Sequence, residues 1–302
     1  MKPKLSAFPK CYLDQIAGER TMTVFEWIEM ARSLDADGLE MYEGFFTSFE
    51  DAYLDEVGEA IHRAGFVMPM LCCSPDFTNP DPDERKKAVE REALMIRICR
   101  RLGGRRSVCR VLSGQRYPEI DRAQGIAWVA ECITSLIPVA REHDVVMGLE
   151  NHYKDGFWRY PEFAQKRDVF LELLAAIPER EYFGVQYDPS NAIVAGDDPV
   201  SLLKAVADRV VSMHASDRSL TPGASLSDLI QSDGTIGYSH LLRHGVTGRG
   251  LNDYDAIFRI LRDHGYVGWI SIEDGMNGMD EMAESLTFLR RMCDKYYPEK
   301  SA

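Results

Sequence analysis

Hydrophobic and polar positions along this chain of 302 residues follow two alternating patterns. Short apolar runs, such as Val-Val-Met-Gly-Leu at 145–149, are typical of strands that are buried on both faces. Longer segments carry apolar residues at helical spacing, as at Val24, Ile28 and Ala31. The predicted strands are 4–8, 37–42, 66–73, 106–112, 145–150, 183–188, 209–214 and 267–273. The predicted helices are 24–34, 49–64, 83–102, 120–143, 161–177, 199–207, 253–264 and 280–296.

Eight strand and helix pairs in succession predict an α/β fold, a single (β/α)8 TIM barrel that occupies residues 1–302 as one domain. The segment 219–247, after the seventh strand, shows no obvious element of its own. We therefore expect it to be an inserted loop that serves as a lid or as an oligomer interface.

Composition excludes several classes of protein. The net charge of −13 disfavours nucleic acid as a partner, and no apolar run approaches the ~20 residues of a membrane span. The first ten residues lack the apolar core of a secretion signal. The seven cysteines include no Cys-x-x-Cys pair, which is typical of reduced thiols. We therefore expect a cytoplasmic protein that binds neither nucleic acid nor a membrane.

Four strands end in residues that can bind a metal ion. The fifth to eighth predicted strands end in turn at Glu150, Asp188, His214 and Glu273. In a parallel barrel the carboxyl ends of all strands lie on one face, so these side chains are predicted to converge. Three oxygen donors and one imidazole suit a single divalent ion, with Mn²⁺ first and Mg²⁺, Co²⁺ or Zn²⁺ behind it. From the second strand, Glu40 or Glu43 is within reach of this site, and for both a supporting or loop role is expected ahead of direct binding.

The motifs at these strand ends resemble those of the xylose isomerase-like TIM barrels, a superfamily of sugar phosphate isomerases and epimerases. They are Gly-Leu-Glu-Asn at 148–151, Tyr-Asp-Pro-Ser-Asn at 187–191, Met-His-Ala-Ser-Asp at 213–217, Gly-x-Gly at 248–250 and Ile-Ser-Ile-Glu-Asp at 270–274. The resemblance covers nearly the whole chain. It implies that Glu150, Asp188, His214 and Glu273 hold one divalent ion, and that the two glutamates also move protons.

Further side chains are predicted to contact the substrate. The loop after the fifth strand is rich in aromatic and polar residues, a mixture that is typical of sugar sites. In that loop His152 is a candidate catalytic residue. The predicted substrate-binding residues are Lys154, Trp158, Asn191, Asp217, Arg218 and Arg249. Asn191 stands where related epimerases often have histidine, and the insertion is longer than theirs, so the chain departs from a simple ketose epimerase.

The first functional hypothesis is a metal-dependent isomerase or epimerase. It acts on a keto sugar or polyol derivative by removing the proton next to the carbonyl, through an enediolate. The alternative is a lyase or dehydratase that performs β-elimination on a 3-oxo-glycoside, including C-glycoside cleavage, or on a keto-inositol. His152 or Lys154 would then protonate the leaving group.

Two further classes of protein are disfavoured. An abasic-site endonuclease on the same fold would need additional histidines on the third and fourth strands, which have none. A non-catalytic sugar sensor would be expected to lack some of the four strand-end metal ligands, and all four are present. The expected partner is a small sugar-like molecule, and we expect a homo-oligomer, with a second type of subunit as an open alternative.

Overall fold

A parallel barrel of eight strands, with helices outside it, forms the body of the protein in this computed structural model, which describes residues 1–231, 240–273 and 275–298. The strands are β1 (Lys4–Ala7), β2 (Gly38–Leu39), β3 (Met41–Tyr42), β4 (Met70–Cys72), β5 (Val108–Val111), β6 (Val146–Glu150), β7 (Phe183–Tyr187), β8 (Val210–Ala215), β9 (Asp217–Leu220), β10 (Leu242–Gly245) and β11 (Trp269–Ile272). The helices are α1 (Val24–Ala31), α2 (Asp51–Arg63), α3 (Pro82–Gly103), α4 (Arg122–His143), α5 (Arg167–Ala176), α6 (Pro189–Val194), α7 (Pro199–Val206), α8 (Leu226–Gln231), α9 (Tyr254–Asp263) and α10 (Met279–Tyr296).

The barrel closes through its second strand, which is split in two. The order of neighbouring strands is β2, β1, β11, β8, β7, β6, β5, β4, β3, and all these pairings are parallel. β2 pairs with β1, β3 pairs with β4, and Glu40 alone separates the two halves. The predicted single TIM barrel is confirmed.

Local sequence signals explain where several helices begin. Thr23 caps α1 in a capping box with Glu26, because its side chain accepts from the Glu26 N–H while Glu26 accepts from the Thr23 N–H. Asp188 caps α6, whose first residue is Pro189. The prediction gave this segment only as a turn, so α6 is an addition.

Two predicted segments are wrong in detail. Helix α5 begins at Arg167 instead of at 161, because Glu162 and Phe163 are held in a loop by backbone hydrogen bonds to Tyr153 and Gly114. The insertion also has structure of its own, since β9 and β10 form an antiparallel pair and α8 lies between them in sequence. The part of the insertion at 232–239 lies outside the described residues.

One helix, α4, is long and apolar enough to cross a membrane by length and composition alone. Its apolar face, which includes Val129, Ile133 and Leu136, is buried in the hydrophobic core. A core helix of this kind passes the same test of length and composition, so it is weak evidence for a membrane span.

Candidate metal centre and cavity

The four predicted strand-end residues lie together inside the barrel mouth. Glu150 is the last residue of β6, Asp188 directly follows β7, His214 lies near the end of β8, and Glu273 directly follows β11. All four side chains are buried, and one possible ligand atom from each lies within 4.8 Å of the others. The structure therefore brings together three carboxylates and one imidazole.

Two cations contact the two glutamates. Arg110, on β5, donates from Nη1 to Glu150 Oε2 at 2.9 Å, and Lys10, shortly after β1, donates from Nζ to Glu273 Oε1 at 2.9 Å. The side chains of both pairs are less than a tenth exposed. Since an unpaired buried charge is strongly unfavourable, each cation stabilises the ionised form of its glutamate.

These contacts set the pKa values of the glutamates. Burial alone would raise the pKa of Glu150, but His214 and Arg110 outweigh burial and hold it well below its usual range. Burial acts in the same direction on Glu273, where Lys10 and His214 prevail and lower the pKa to about 2. Both groups are therefore carboxylates at neutral pH.

The pKa of Asp188 is instead raised. Burial, together with the nearby Glu273 and Glu150 carboxylates, raises its pKa to about 7 against the influence of His214. Its oxygens accept from Ser216 Oγ at 3.1 and 3.2 Å and from the Asn191 N–H at 3.0 Å. The quartet thus carries more negative charge than its surroundings balance, which a bound cation would relieve. Its oxygen and nitrogen donors fit a divalent ion.

The far side of the His214 ring is also occupied. Its Nε2 lies 2.7 Å from Glu40 Oε1 and 2.8 Å from the amide nitrogen of Gln186. Glu40 Oε1 also accepts from Cys72 Sγ at 2.8 Å. Burial alone would lower the pKa of His214, but the surrounding glutamates, Glu40 first, raise it well above its usual range. Without a metal the imidazole therefore carries a proton on each nitrogen.

A cavity of about 530 Å³ opens beside the quartet. Among the residues described, Glu273 is the member of the quartet that lines it, and Arg110 stands between the cavity and Glu150. The other lining residues are Phe8, Lys10, Cys11, Leu13, Asp14, Ala17, Gly18, Tyr42, Arg110, His152, Tyr153, Lys154, Asp155, Gly156, Phe157 and Met276. The cavity therefore joins a polar inner wall to a more apolar rim.

His152 is paired with a buried carboxylate. Its Nδ1 lies 3.3 Å from Glu162 Oε2, and both side chains are buried. Glu162 is fixed in turn, because its Oε1 accepts from the Ser113 N–H at 2.7 Å and from Ser113 Oγ at 2.8 Å. The two atoms do not have hydrogen-bond geometry, so the carboxylate acts on the His152 ring through its charge.

Of the predicted substrate contacts, Lys154 lines the cavity, and Asn191 instead donates from its side-chain amide to Glu150 Oε1 at 3.1 Å. Trp158 is buried and lies outside the set of described residues that line the cavity. Arg218, on β9, is buried, with its guanidinium 5.4 Å from the centre of the Tyr153 ring.

Asp217 and Arg249, two more of the predicted substrate contacts, have partners within the protein. The Asp217 carboxylate accepts from the backbone N–H groups of Gly248, Gly250 and Asn252, so it holds this loop in place. A side chain at Gly250 would collide with Asp217, which explains the glycine. Arg249 is largely exposed and forms an ion pair with Glu284 on α10.

Three functional residues did not emerge from the sequence. Arg110 had a signal, since it is a charged residue inside an apolar strand, where burial demands a partner. Lys10 and Glu162 had none, because their contacts depend on the folded path of the loops.

Comparison with known proteins is consistent with this fold and site. The family model described as "Xylose isomerase-like TIM barrel" matches residues 28–292, so the chain belongs to that family. Two solved structures share the fold over 97–98% of this chain and 98–99% of their own. One is a "D-tagatose 3-epimerase-like protein" (TM-score 0.74, 15% identity), and the other is the "IOLI protein with a binding zinc atom" (TM-score 0.73, 16% identity).

Curated relatives match shorter segments. The 3-oxo-isoapionate decarboxylase of Pectobacterium atrosepticum is 26% identical over 127 residues, which are 42% of this chain and 38% of that protein. The inosose dehydratase of Clostridium beijerinckii is 25% identical over 108 residues, 34% of each chain. The matches therefore span well under half of these relatives.

Proposed function

We propose that this protein is a divalent-metal-dependent enzyme that removes the proton next to the ketone of a keto sugar or keto polyol. The observation that carries the proposal is the buried quartet of Glu150, Asp188, His214 and Glu273 beside a cavity whose wall also carries His152. The zinc named for the IOLI protein, which has the same fold, supports the proposal that this chain also binds a metal ion. The donor set suits Mn²⁺, with Mg²⁺, Co²⁺ and Zn²⁺ as alternatives.

The four residues of the quartet would hold the ion. When bound, the ion supplies Lewis-acid polarisation of the substrate carbonyl and so favours loss of the neighbouring proton. Glu273 takes that proton, since it is the carboxylate of the quartet that lines the cavity among the residues described. Glu150 is enclosed by Arg110 and Asn191, which suits a ligand better than a base.

Lys10 and His152 complete the proton transfers. Lys10 lines the cavity and donates to Glu273, so it holds this carboxylate in its ionised form until the substrate proton arrives. His152, next to the Glu162 carboxylate, gives a proton to the leaving group or returns one to carbon. Glu273 and His152 are thus a base and an acid of different chemical type on one cavity.

Of the reactions that can follow proton removal, this arrangement of base and acid best supports elimination. A base that removes a proton and a separate acid that protonates a leaving group are what a β-eliminating lyase requires, on a 3-oxo-glycoside or a keto-inositol. The relative named as inosose dehydratase agrees with it, since loss of water is an elimination. Isomerisation or epimerisation is the second candidate, favoured by the epimerase-like solved structure. It would use Glu273 and His152 to take and return the proton.

Both reactions begin with removal of the proton next to the ketone. Exchange of that proton with deuterated water tests this shared step. The Mn²⁺-loaded protein would be incubated with 3-oxo-glucosides, keto-inositols and ketoses, and the products examined by mass spectrometry. Elimination gives two products or loss of water, whereas isomerisation adds one deuterium and otherwise conserves mass. Glu273→Gln should lower the exchange rate by about 10²-fold or more. The matched control is Glu92→Gln, a buried glutamate on α3. No exchange with any of these substrate classes would contradict the proposal.

A further inference from the structure

His214 presents its two ring nitrogens to two different carboxylate environments. Nδ1 faces the quartet, at 3.2 Å from Glu150 Oε1 and 3.5 Å from Glu273 Oε2. Nε2 points the other way, at 2.7 Å from Glu40 Oε1. One nitrogen is therefore available to a metal ion only if the other one keeps the proton.

Glu40 is placed to hold that proton. It lies between β2 and β3, its side chain is fully buried, and it reaches His214 on β8. Among the described residues, His214 is the basic side chain that contacts Glu40 within ion-pair distance. A buried carboxylate is unfavourable without such a partner, so this contact fixes both side chains.

We propose that Glu40 is a positioning residue for the metal centre. By accepting the Nε2 proton it fixes the tautomer of His214 with Nδ1 free to bind, it sets the plane of the ring, and it makes Nδ1 a stronger donor. This inference rests on the proposed function, because it requires that the quartet binds a divalent ion. Glu40 contacts the ring nitrogen that faces away from the quartet. It would be a ligand only of an ion held with Cys72 and His214 on that other side of the ring.

Gln186 is the competing partner. Its amide nitrogen is 2.8 Å from the same Nε2, and with the amide reversed its oxygen would accept the proton. A carboxylate is the stronger acceptor of the two because it is charged, and Glu40 is also slightly nearer. The variants must therefore separate the two residues.

Metal affinity of the chelator-treated protein is the decisive measurement. Titration calorimetry with Co²⁺ would give Kd for wild type, Glu40→Ala, Glu40→Gln, Gln186→Ala and the control Glu179→Gln. We expect Kd to rise about 10–100-fold in Glu40→Ala. Glu40→Gln keeps the volume and a neutral acceptor, so it should show a smaller rise in the same direction. Glu179 pairs with Arg141 before the start of β7, at the opposite end of the barrel from the quartet. Glu179→Gln removes the same charge there and should keep the wild-type Kd.

The visible spectrum of bound Co²⁺ separates positioning from a merely structural role. Removal of Glu40 should alter this spectrum because the ring of His214 is no longer held in place, while Glu179→Gln should leave it unchanged. If wild type binds Co²⁺ and both Glu40 variants keep its Kd within twofold, Glu40 has no positioning role and the proposed function stands. A weakening confined to Gln186→Ala also overturns the inference. If wild type binds no metal, the proposed function fails and the role of Glu40 fails with it.

Discussion

Replacing Asp188 with asparagine should make the metal-free protein more stable at alkaline pH. Asp188 shares a buried site with Glu150 and Glu273, and its pKa in the folded protein is about 7 against an ordinary value of 3.8. Folding therefore favours the protonated acid. Stability from this group is complete below pH 3.8 and is lost as the pH rises from there to about 7. Asparagine is neutral at every pH and removes this loss.

The size of the effect follows from the shift. A difference of about three pKa units is worth about 4 kcal/mol at pH 8, since each unit is about 1.4 kcal/mol. With an unfolding entropy of about 2.1 cal/mol/K per residue, this raises Tm by about 6 °C. The amide can still accept from the Asn191 N–H, and its NH₂ group can donate to the neighbouring carboxylates.

Thermal unfolding in the presence of a chelator, at pH 8 and at pH 5, would measure the difference in Tm between Asp188→Asn and wild type. Asp188→Asn should exceed wild type in Tm at pH 8, and by less at pH 5. Asp37→Asn is the contrasting control, because hydrogen bonds from Arg290 and the Leu5 N–H outweigh burial and hold the pKa of Asp37 below its ordinary value. That variant should be less stable than wild type. If Asp188→Asn is no more stable than wild type at pH 8, the excess of negative charge at the quartet is refuted.

Three other changes test the surrounding contacts. Arg110→Met leaves Glu150 buried without its cation and should destabilise the metal-free protein by about 3–5 kcal/mol, seen as a lower Tm. The exposed ion pairs of Arg122 make Arg122→Met a control with little change in Tm, and equal effects of the two variants would contradict the account. Glu162→Gln should lower kcat at least about tenfold with Kd for the metal unchanged, because it acts through His152. A parallel loss of metal affinity would show a structural role instead. Addition of Mn²⁺ should raise Tm in wild type but not in Asp188→Asn, which a concentration series would show.

The sequence was sufficient for those parts of the fold that depend on regular pattern. Apolar runs and helical spacing located the eight barrel strands, and the strand-end rule placed Glu150, Asp188, His214 and Glu273 in one region. Both inferences succeed because barrel geometry is general and does not depend on individual side-chain contacts.

General rules of pattern and barrel geometry could not predict the individual side-chain contacts that complete the site. Lys10 meets Glu273 across 263 positions of sequence, and Glu162 meets His152 only because a loop replaces the start of the predicted fifth helix. Asp217 was predicted to bind substrate, yet it binds backbone N–H groups of a glycine-rich loop. A buried carboxylate needs partners, but the sequence does not say whether the partner is a ligand, a cation or the backbone.

The metal content of the purified protein tests the central claim most directly. After removal of bound ions and reconstitution with Mn²⁺, elemental analysis should give about one equivalent per chain in wild type and almost none in Asp188→Ala, because a buried oxygen donor of the quartet is lost. Absence of bound metal in the wild type, or equal amounts in both proteins, would contradict the assignment of Glu150, Asp188, His214 and Glu273 as a metal centre.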